Sequence, residues 1–165
     1  MYANPVDLQG DRISTPHGDL EEGVRLGHES ASAAEEVGFT WWRGVTLLGV
    51  AEQLVAANDA EAANPDFREG LKTLASVRDQ VNLPIALCAG AAIAAARGDA
   101  ARAGTLWGAV EAVAEREPKK TTDENLREYT PYVERAQGPD FERGRAHGRT
   151  LSLEAAIEYA LAASD

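Results

Sequence analysis

The sequence predicts an all-α fold of antiparallel helix-pair repeats, with about seven to eight helices, and three observations support this. Apolar residues make up 44% of the 165 residues. Alanine dominates them, while β-branched and aromatic residues are sparse, and this balance favours helix over sheet. Apolar positions recur at helical spacing along most of the chain. Finally, short breaks at Gly18-Asp19, Asn58-Asp59 and Gly98-Asp99 lie 40 residues apart, which fits two helices plus turns per repeat.

The first half of the chain contains two predicted helix pairs. The predicted helices span residues 19–37, 40–57, 65–80 and 83–97. The first carries one apolar face, whereas the second and fourth are apolar on most sides, which predicts central, buried positions. Pro65 suits the first turn of the third helix, so we expect a longer turn before it.

The second half continues the helical pattern less regularly. We expect helices over residues 100–117 and 123–137, a short one from Gly138-Pro139, and a last one over residues 152–163. Pro131 should kink or split its helix, because proline removes a hydrogen bond and clashes with the preceding turn. Residues 1–17 show no period and are taken as an irregular N-terminal segment. Residues 18–165 then form a single helical-repeat domain.

Charge and hydropathy exclude several classes of partner. The net charge is −11, and an acidic chain repels the phosphates that nucleic-acid binding must neutralise. We therefore expect neither direct nucleic-acid binding nor membrane binding. The N-terminus lacks the apolar core of a signal peptide, and the longest apolar run, residues 83–96, is too short to span a bilayer. The sequence predicts a cytoplasmic protein, with its single cysteine, Cys88, buried in that run.

No motif in the sequence indicates catalysis. A Gly-rich phosphate loop, a His-Glu-x-x-His zinc motif, a Cys-x-x-Cys pair and a nucleophile elbow are all missing from the sequence. The three histidines lie far apart, so none has a second ligand at metal spacing. Acidic pairs such as Glu21-Glu22 are expected to be solvated helix faces. We therefore predict no catalytic residue, no metal and no cofactor.

The tandem Trp41-Trp42 is the most informative feature for a binding site. Neighbours on a helix point about 100° apart, so Trp41 is expected in the core and Trp42 on another face. The Trp42 stripe and its counterpart one repeat later could line a ligand or partner groove. Alternatively, the C-terminal helices cover this stripe through Phe141, Ile157 and Leu161, and this alternative is favoured. The candidate groove residues are Trp42, Thr46, Gly49, Gln53, Leu83, Leu87 and Gly90.

A basic stretch stands out in this acidic chain. Arg143, Arg145 and Arg149 lie within seven residues and could hold a phosphate or an acidic peptide. Pairing with the surrounding acidic side chains is the favoured alternative.

Several stretches resemble the C-terminal helical region of large bacterial transcriptional regulators of the LuxR and predicted-ATPase type. They are GDLEEGVRLGHES (residues 18–30), RGDAARAGTLWGAVEAV (97–113), ENLREY (124–129) and FERGRAHGRTLSLEAAIEYAL (141–161). The resemblance implies a tetratricopeptide-like right-handed superhelix that acts as a sensor or scaffold. Pro131 and Ala155 depart from the family pattern, and Ala155 removes a capping glutamate. The family's phosphate loop and recognition helix are missing from this sequence, so ATPase and DNA-binding activities are not implied for it.

Together these features predict a non-catalytic interaction or sensor module with a protein or peptide partner. One alternative is a small-molecule pocket enclosed by Trp42, Trp107 and the C-terminal helices. The other is a structural homodimer.

Overall fold

Eight α-helices and one short 3₁₀ helix build the part of the chain that the computed structural model describes, residues 17–162. No strand occurs within those residues, which confirms the all-α helical repeat. The expected irregular segment lies outside them, except that His17 already begins the first helix. The helices are α1 (His17–Glu36), α2 (Thr40–Ala56), α3 (Ala60–Ser76), α4 (Asn82–Ala96), α5 (Ala100–Arg116), α6 (Lys120–Val133), α7 (Pro139–Gly148) and α8 (Leu153–Leu161), with the 3₁₀ helix Glu134–Ala136 after α6.

Left-handed residues end the first four helices at intervals of 20 positions. Gly38, Asn58, Arg78 and Gly98 have φ of 72°, 64°, 54° and 80°. At each of them the same pair of backbone hydrogen bonds closes the last helical turn, as in a Schellman motif. The chain is therefore built of 20-residue helix-and-turn units, two to each 40-residue repeat.

Aspartates begin the helices that follow two of these turns. Asp59 and Asp99 each accept a hydrogen bond from the backbone N–H three residues on, at 3.1 and 3.0 Å. This is the usual N-cap arrangement, which satisfies a free amide of the first turn. The expected breaks at Asn58-Asp59 and Gly98-Asp99 are thus helix boundaries. Gly18-Asp19 is not a boundary, because α1 begins before it.

Two prolines lie inside helices. We expected one of them at a helix start and the other at a kink or split. The third helix begins at Ala60, so Pro65 is within it and no long turn precedes it, since Asp59 already caps the helix start. Pro131 lies two residues before the end of α6, and the helix continues to Val133 before tightening into the 3₁₀ helix. The predicted split at Pro131 is therefore displaced to the end of the helix, where few hydrogen bonds remain to be lost.

Helix α4 occupies the centre of the molecule. Every residue from 86 to 95 is buried, and α4 packs against α3, α5, α6 and α8. The prediction of a buried fourth helix is confirmed. Cys88 lies in this helix, and burial raises the pKa of its thiol far above the ordinary value, so the thiolate form is suppressed.

Helices α5 and α7 pack backbone against backbone. Gly104 and Gly108 on α5 face Gly144 and Gly148 on α7, and a Cβ at any of the four would collide with a carbonyl oxygen of the opposite helix. Paired small residues four apart let two helices approach this closely. The contact fixes α7 against α5.

Helix α8 closes the fold over α3, α4 and α5. Ala156 and Ala160 are fully buried and Ile157 is nearly so. Arg102 on α5 donates to the carbonyl oxygen of Ala160 at 2.8 Å, and Arg68 on α3 donates to carbonyls of the same last turn. Cations suit a helix C-terminus because its carbonyls carry a partial negative charge.

Candidate interaction surface

Exposed aromatic side chains cluster where α1 turns into α2. Phe39, Trp41 and Trp42 are 52%, 40% and 44% exposed, and Val37 beside them is 77% exposed. The three ring centroids lie 6.0 to 6.3 Å apart, within the range of favourable aromatic contacts. We call these four residues the aromatic ridge. Trp41 was expected in the core, but it lies in the first turn of α2, beyond the packed layer.

Hydrogen bonds hold both indole rings of the ridge in place. The Nε1–H of Trp41 donates to Asp79 Oδ2 at 2.7 Å, and that of Trp42 donates to Ser30 Oγ at 3.1 Å. Partial burial raises the pKa of Asp79, but hydrogen bonds from Asn82, Trp41 and the Val81 amide together bring it below its ordinary value. The rings therefore present fixed apolar faces to solvent.

The apolar exposure continues one repeat later along the chain. The turn between α3 and α4 carries Val77 and Val81, which are 40% and 55% exposed. They stand 40 residues after Val37 and Trp41, and the Trp41–Asp79 hydrogen bond brings the two turns together. Six of the seven large apolar side chains exposed in the described residues lie in these two turns. The exposure is thus concentrated at one end of the helix pairs.

Phe39 stands where the repeat elsewhere places an aspartate cap. Asp59 and Asp99 cap α3 and α5, and Asp79 accepts hydrogen bonds from two backbone amides at the start of α4, both at 3.0 Å. Phe39 is the corresponding residue before α2, and its side chain makes no capping hydrogen bond. Replacing a cap by an apolar residue costs roughly 1 kcal/mol. The residue could have been found in the sequence from the 20-residue spacing.

A small polar hollow lies beside the ridge. It measures about 240 Å³ and its wall includes Thr40 and Arg43. Arg43 donates to Glu69 at 2.9 Å and to Thr73 at 3.0 Å, and it lies 3.4 Å from Glu35. Its charge is therefore compensated within the protein.

The predicted groove does not form from α4. Leu83 and Leu87 are 2% and 0% exposed, and Gly90 packs against the ring of Phe67 and against Leu106. The prediction is wrong for these three residues because α4 is enclosed on several sides and has no open face. Helix α8 packs on α4, in line with the alternative that the C-terminal helices cover this stripe.

The α2 half of the predicted groove stays at the surface. Trp42 and Gln53 are exposed, while Thr46 and Gly49 are half-buried. No atom lies within 4 Å of where a Gly49 side chain would begin. These residues form a strip beside α1 that leads away from the ridge.

The predicted anion patch is neutralised by neighbouring acids. Arg145 makes two hydrogen bonds of 2.8 Å to Glu111, and Arg149 bonds both carboxylate oxygens of Glu115 at 2.7 and 2.8 Å. The hydrogen bond from Arg149 lowers the pKa of Glu115. Arg143 pairs with Asp140. All three arginines are paired with acids, as the favoured alternative predicted, and Arg145 and Arg149 thereby hold α7 and its end against α5.

A half-buried acid links α2 to α6. Glu52 accepts a hydrogen bond of 2.6 Å from the hydroxyl of Tyr129. Burial raises the pKa of Glu52, the bond from Tyr129 lowers it in part, and the nearby Glu128 raises it further. Burial and the neighbouring Glu52 raise the pKa of Tyr129. No sequence motif indicates this pair. Its sequence signal is a single acidic residue, Glu52, within a mostly apolar helix.

A cleft opens between α5, α6 and α7. Its volume is about 260 Å³, and Trp107, Leu126, Val133 and Phe141 line it together with charged side chains such as Arg127. Trp107 is 7% exposed, which confirms its predicted place in the core. Trp42 does not line the cleft, so the expected pocket shared by Trp42 and Trp107 does not form.

The described residues contain neither a metal-binding cluster nor a membrane-spanning helix. Over residues 17–162, no cluster of three or more His, Cys, Asp or Glu side chains is arranged to hold a metal ion. No helix in that part of the chain is long and apolar enough to cross a membrane.

Comparison with protein-family models, with curated proteins and with solved structures finds no match for this chain.

Proposed function

We propose that this chain is a non-catalytic helical-repeat interaction module that docks a protein partner on the aromatic ridge. One observation carries the proposal. Phe39 occupies the position at which the other helix-and-turn units have an aspartate cap, and its aromatic side chain is exposed. The start of α2 lacks a side-chain cap there, and about half of the Phe39 side chain stays exposed in the isolated fold. An uncapped helix start with an exposed aromatic side chain is expected where a surface is used for binding.

The composition of the ridge suits a binding hot spot. Tryptophan is among the residues that dominate interface energetics, and the ridge places Trp41 and Trp42 side by side. Their indole N–H groups already have partners, so covering the ring faces strands no polar atom. Little side-chain entropy is lost, because the rings are fixed before binding.

Charge restricts the kind of partner. The chain as a whole carries −11, while the charges next to the ridge are mixed, since Arg43 and Lys72 line the hollow beside it together with Glu35. Long-range attraction therefore favours a partner segment with basic flanks, and an acidic partner would be repelled. We propose that the occupant is an apolar segment of another protein, flanked by Lys or Arg.

The sequence resemblance supplies a broader setting for this module. We propose that it serves as a sensor or scaffold segment of a cytoplasmic bacterial transcriptional regulator of the LuxR type. The hairpins would then stack as a tetratricopeptide-like right-handed superhelix. The support is the set of family-like stretches at residues 18–30, 97–113, 124–129 and 141–161.

Photocrosslinking inside cells tests the docking surface. The photoreactive analogue p-benzoylphenylalanine is placed at position 39, where it replaces a similar ring, and at position 26 in a matched control. Leu26 is 50% exposed, as exposed as Phe39 but on α1 and outside the ridge. The proposal predicts one discrete crosslinked product from position 39, identified by mass spectrometry as a different protein, and no such product from position 26.

Two outcomes would count against the proposal. A product formed equally from both positions would show that exposure alone governs crosslinking. A product containing two copies of this chain would favour the structural homodimer instead. In that case sedimentation of the purified chain should show the same dimer.

A further inference from the structure

The indole N–H of Trp107 has no hydrogen-bond partner in the described part of the chain. Trp107 is more than nine-tenths buried and lines the cleft between α5, α6 and α7. Across the same residues, no side-chain nitrogen or oxygen is both sealed from solvent and without a partner. The N–H therefore keeps some exposure to solvent, and Trp107 borders the cleft. A largely buried indole N–H normally finds an acceptor, so this donor is free to serve a ligand.

Apolar and polar side chains share the wall around this donor. Phe141 and Val133 are each 2% exposed, and Leu126 from α6 joins them. The apolar part of the wall favours the apolar body of a ligand. The volume of about 260 Å³ is near the lower end of known ligand pockets, roughly 300–1,000 Å³. The ligand must therefore be small, of about amino-acid size.

Arg127 is the unpaired arginine at the rim of the cleft. It is exposed and makes no ion pair or hydrogen bond with other described residues. The other rim arginine, Arg145, is paired, because it bonds Glu111 at 2.8 Å and lies 3.4 Å from Glu142. An anion entering the cleft would therefore meet one free guanidinium, which can bond a carboxylate through two N–H groups.

We propose that the cleft is a binding site for a small apolar carboxylate. The carboxylate pairs with Arg127, the apolar body lies against Phe141, Leu126 and Val133, and an acceptor oxygen takes the Trp107 N–H. The cleft shares no residue with the aromatic ridge. Occupation would join α5, α6 and α7, so such a ligand could act as an effector of the module.

A titration with phenylacetate, followed by ¹H–¹⁵N NMR of the full chain, tests this site. The three tryptophans give three indole N–H signals, and the variant Trp107→Phe identifies one of them. The Trp107 signal should shift saturably with phenylacetate. The signals of Trp41 and Trp42 should stay in place, which makes them internal controls.

Charge recognition is tested with a neutral ligand and two matched variants. Arg127→Gln should weaken phenylacetate binding by about tenfold or more, as expected for loss of a charged hydrogen-bond donor. Binding of neutral phenylacetamide should be equal in both proteins. Arg143→Gln removes an exposed arginine outside the cleft and should leave phenylacetate binding unchanged.

The proposal fails on either of two results. One is the absence of any saturable Trp107 shift at ligand concentrations on the order of 10 mM, where millimolar binding would be seen. The other is equal phenylacetate affinity in the wild type and in Arg127→Gln, because the free guanidinium would then play no part.

Discussion

Single residues decide where this fold is strong and where it is open to a partner. At the 20-residue spacing, aspartates begin three helices through backbone hydrogen bonds, and Phe39 breaks the series. The breaks at Asp59 and Asp99 could be predicted, because cap chemistry is local, whereas Asp79 was expected inside the helix 65–80. The exposure of Trp41 could not be predicted, because helical spacing does not show where the packed layer ends.

The missing cap can be measured by comparing Phe39→Asp with Phe39→Ala. Both variants lose the same ring contacts, so the difference in stability isolates the cap. We expect the aspartate variant to be more stable by about 1 kcal/mol, helped by the charge at the helix N-terminus. Urea unfolding gives both free energies. Equal stabilities would mean that the start of α2 needs no cap.

Glu52 should make stability depend on pH. Its folded pKa is raised, chiefly by burial, so the folded state binds the proton more tightly than the unfolded state. Its contribution to stability is fully present below the unfolded pKa and is lost as pH rises through the folded pKa. The titratable groups that interact electrostatically with Glu52 are Glu128 and Tyr129 of α6 and Cys88 of α4.

The variant Glu52→Gln tests this linkage. Gln can still accept the Tyr129 hydrogen bond but carries no charge, so the variant should be more stable than the wild type at pH 7. The difference should disappear below about pH 4, where a free glutamate is protonated. Unfolding curves at several pH values provide the readout. A variant that is less stable at pH 7 would contradict the raised pKa.

At the scale of elements, the sequence predicts the helices better than their contacts. Seven of the eight α-helices begin within three residues of the expected position, because apolar spacing and turn residues act locally. Helix α3 is the exception, since its aspartate cap starts the helix five residues before Pro65. The glycines of α5 and α7 could not be paired from sequence, because each looks like an ordinary weak helix residue until the partner helix is known.

Two glycine substitutions should change the stability of the fold in opposite directions. Gly148→Ala places a methyl group against the Thr105 carbonyl of α5 and should destabilise the fold by roughly 2 kcal/mol or more. Gly49→Ala meets no atom within 4 Å and should stabilise it by up to about 1 kcal/mol. Thermal unfolding of the two variants gives the comparison. Similar destabilisation in both would mean that the close approach of α5 and α7 carries little energy.

At the scale of the whole molecule, the candidate site depends on how the helices are arranged in space. The 40-residue repeat brings two turns together, and Trp41 bonds Asp79 across them. The same arrangement encloses α4, so Leu83 and Leu87 belong to the core. Sequence spacing placed Trp42 of the ridge on a candidate binding face, but it placed Trp41 in the core. It could not separate open from covered faces, because that depends on α8, which lies far along the chain.

The most direct measurement is the yield of the position-39 crosslink in two charged variants. Val37→Glu adds a charge to the ridge at a residue that is 77% exposed, and Leu26→Glu adds the same charge to α1. Neither change should disturb the core. The account predicts that Val37→Glu abolishes the crosslink to the partner while Leu26→Glu retains it. An unchanged yield in Val37→Glu would show that the aromatic ridge is not the docking surface.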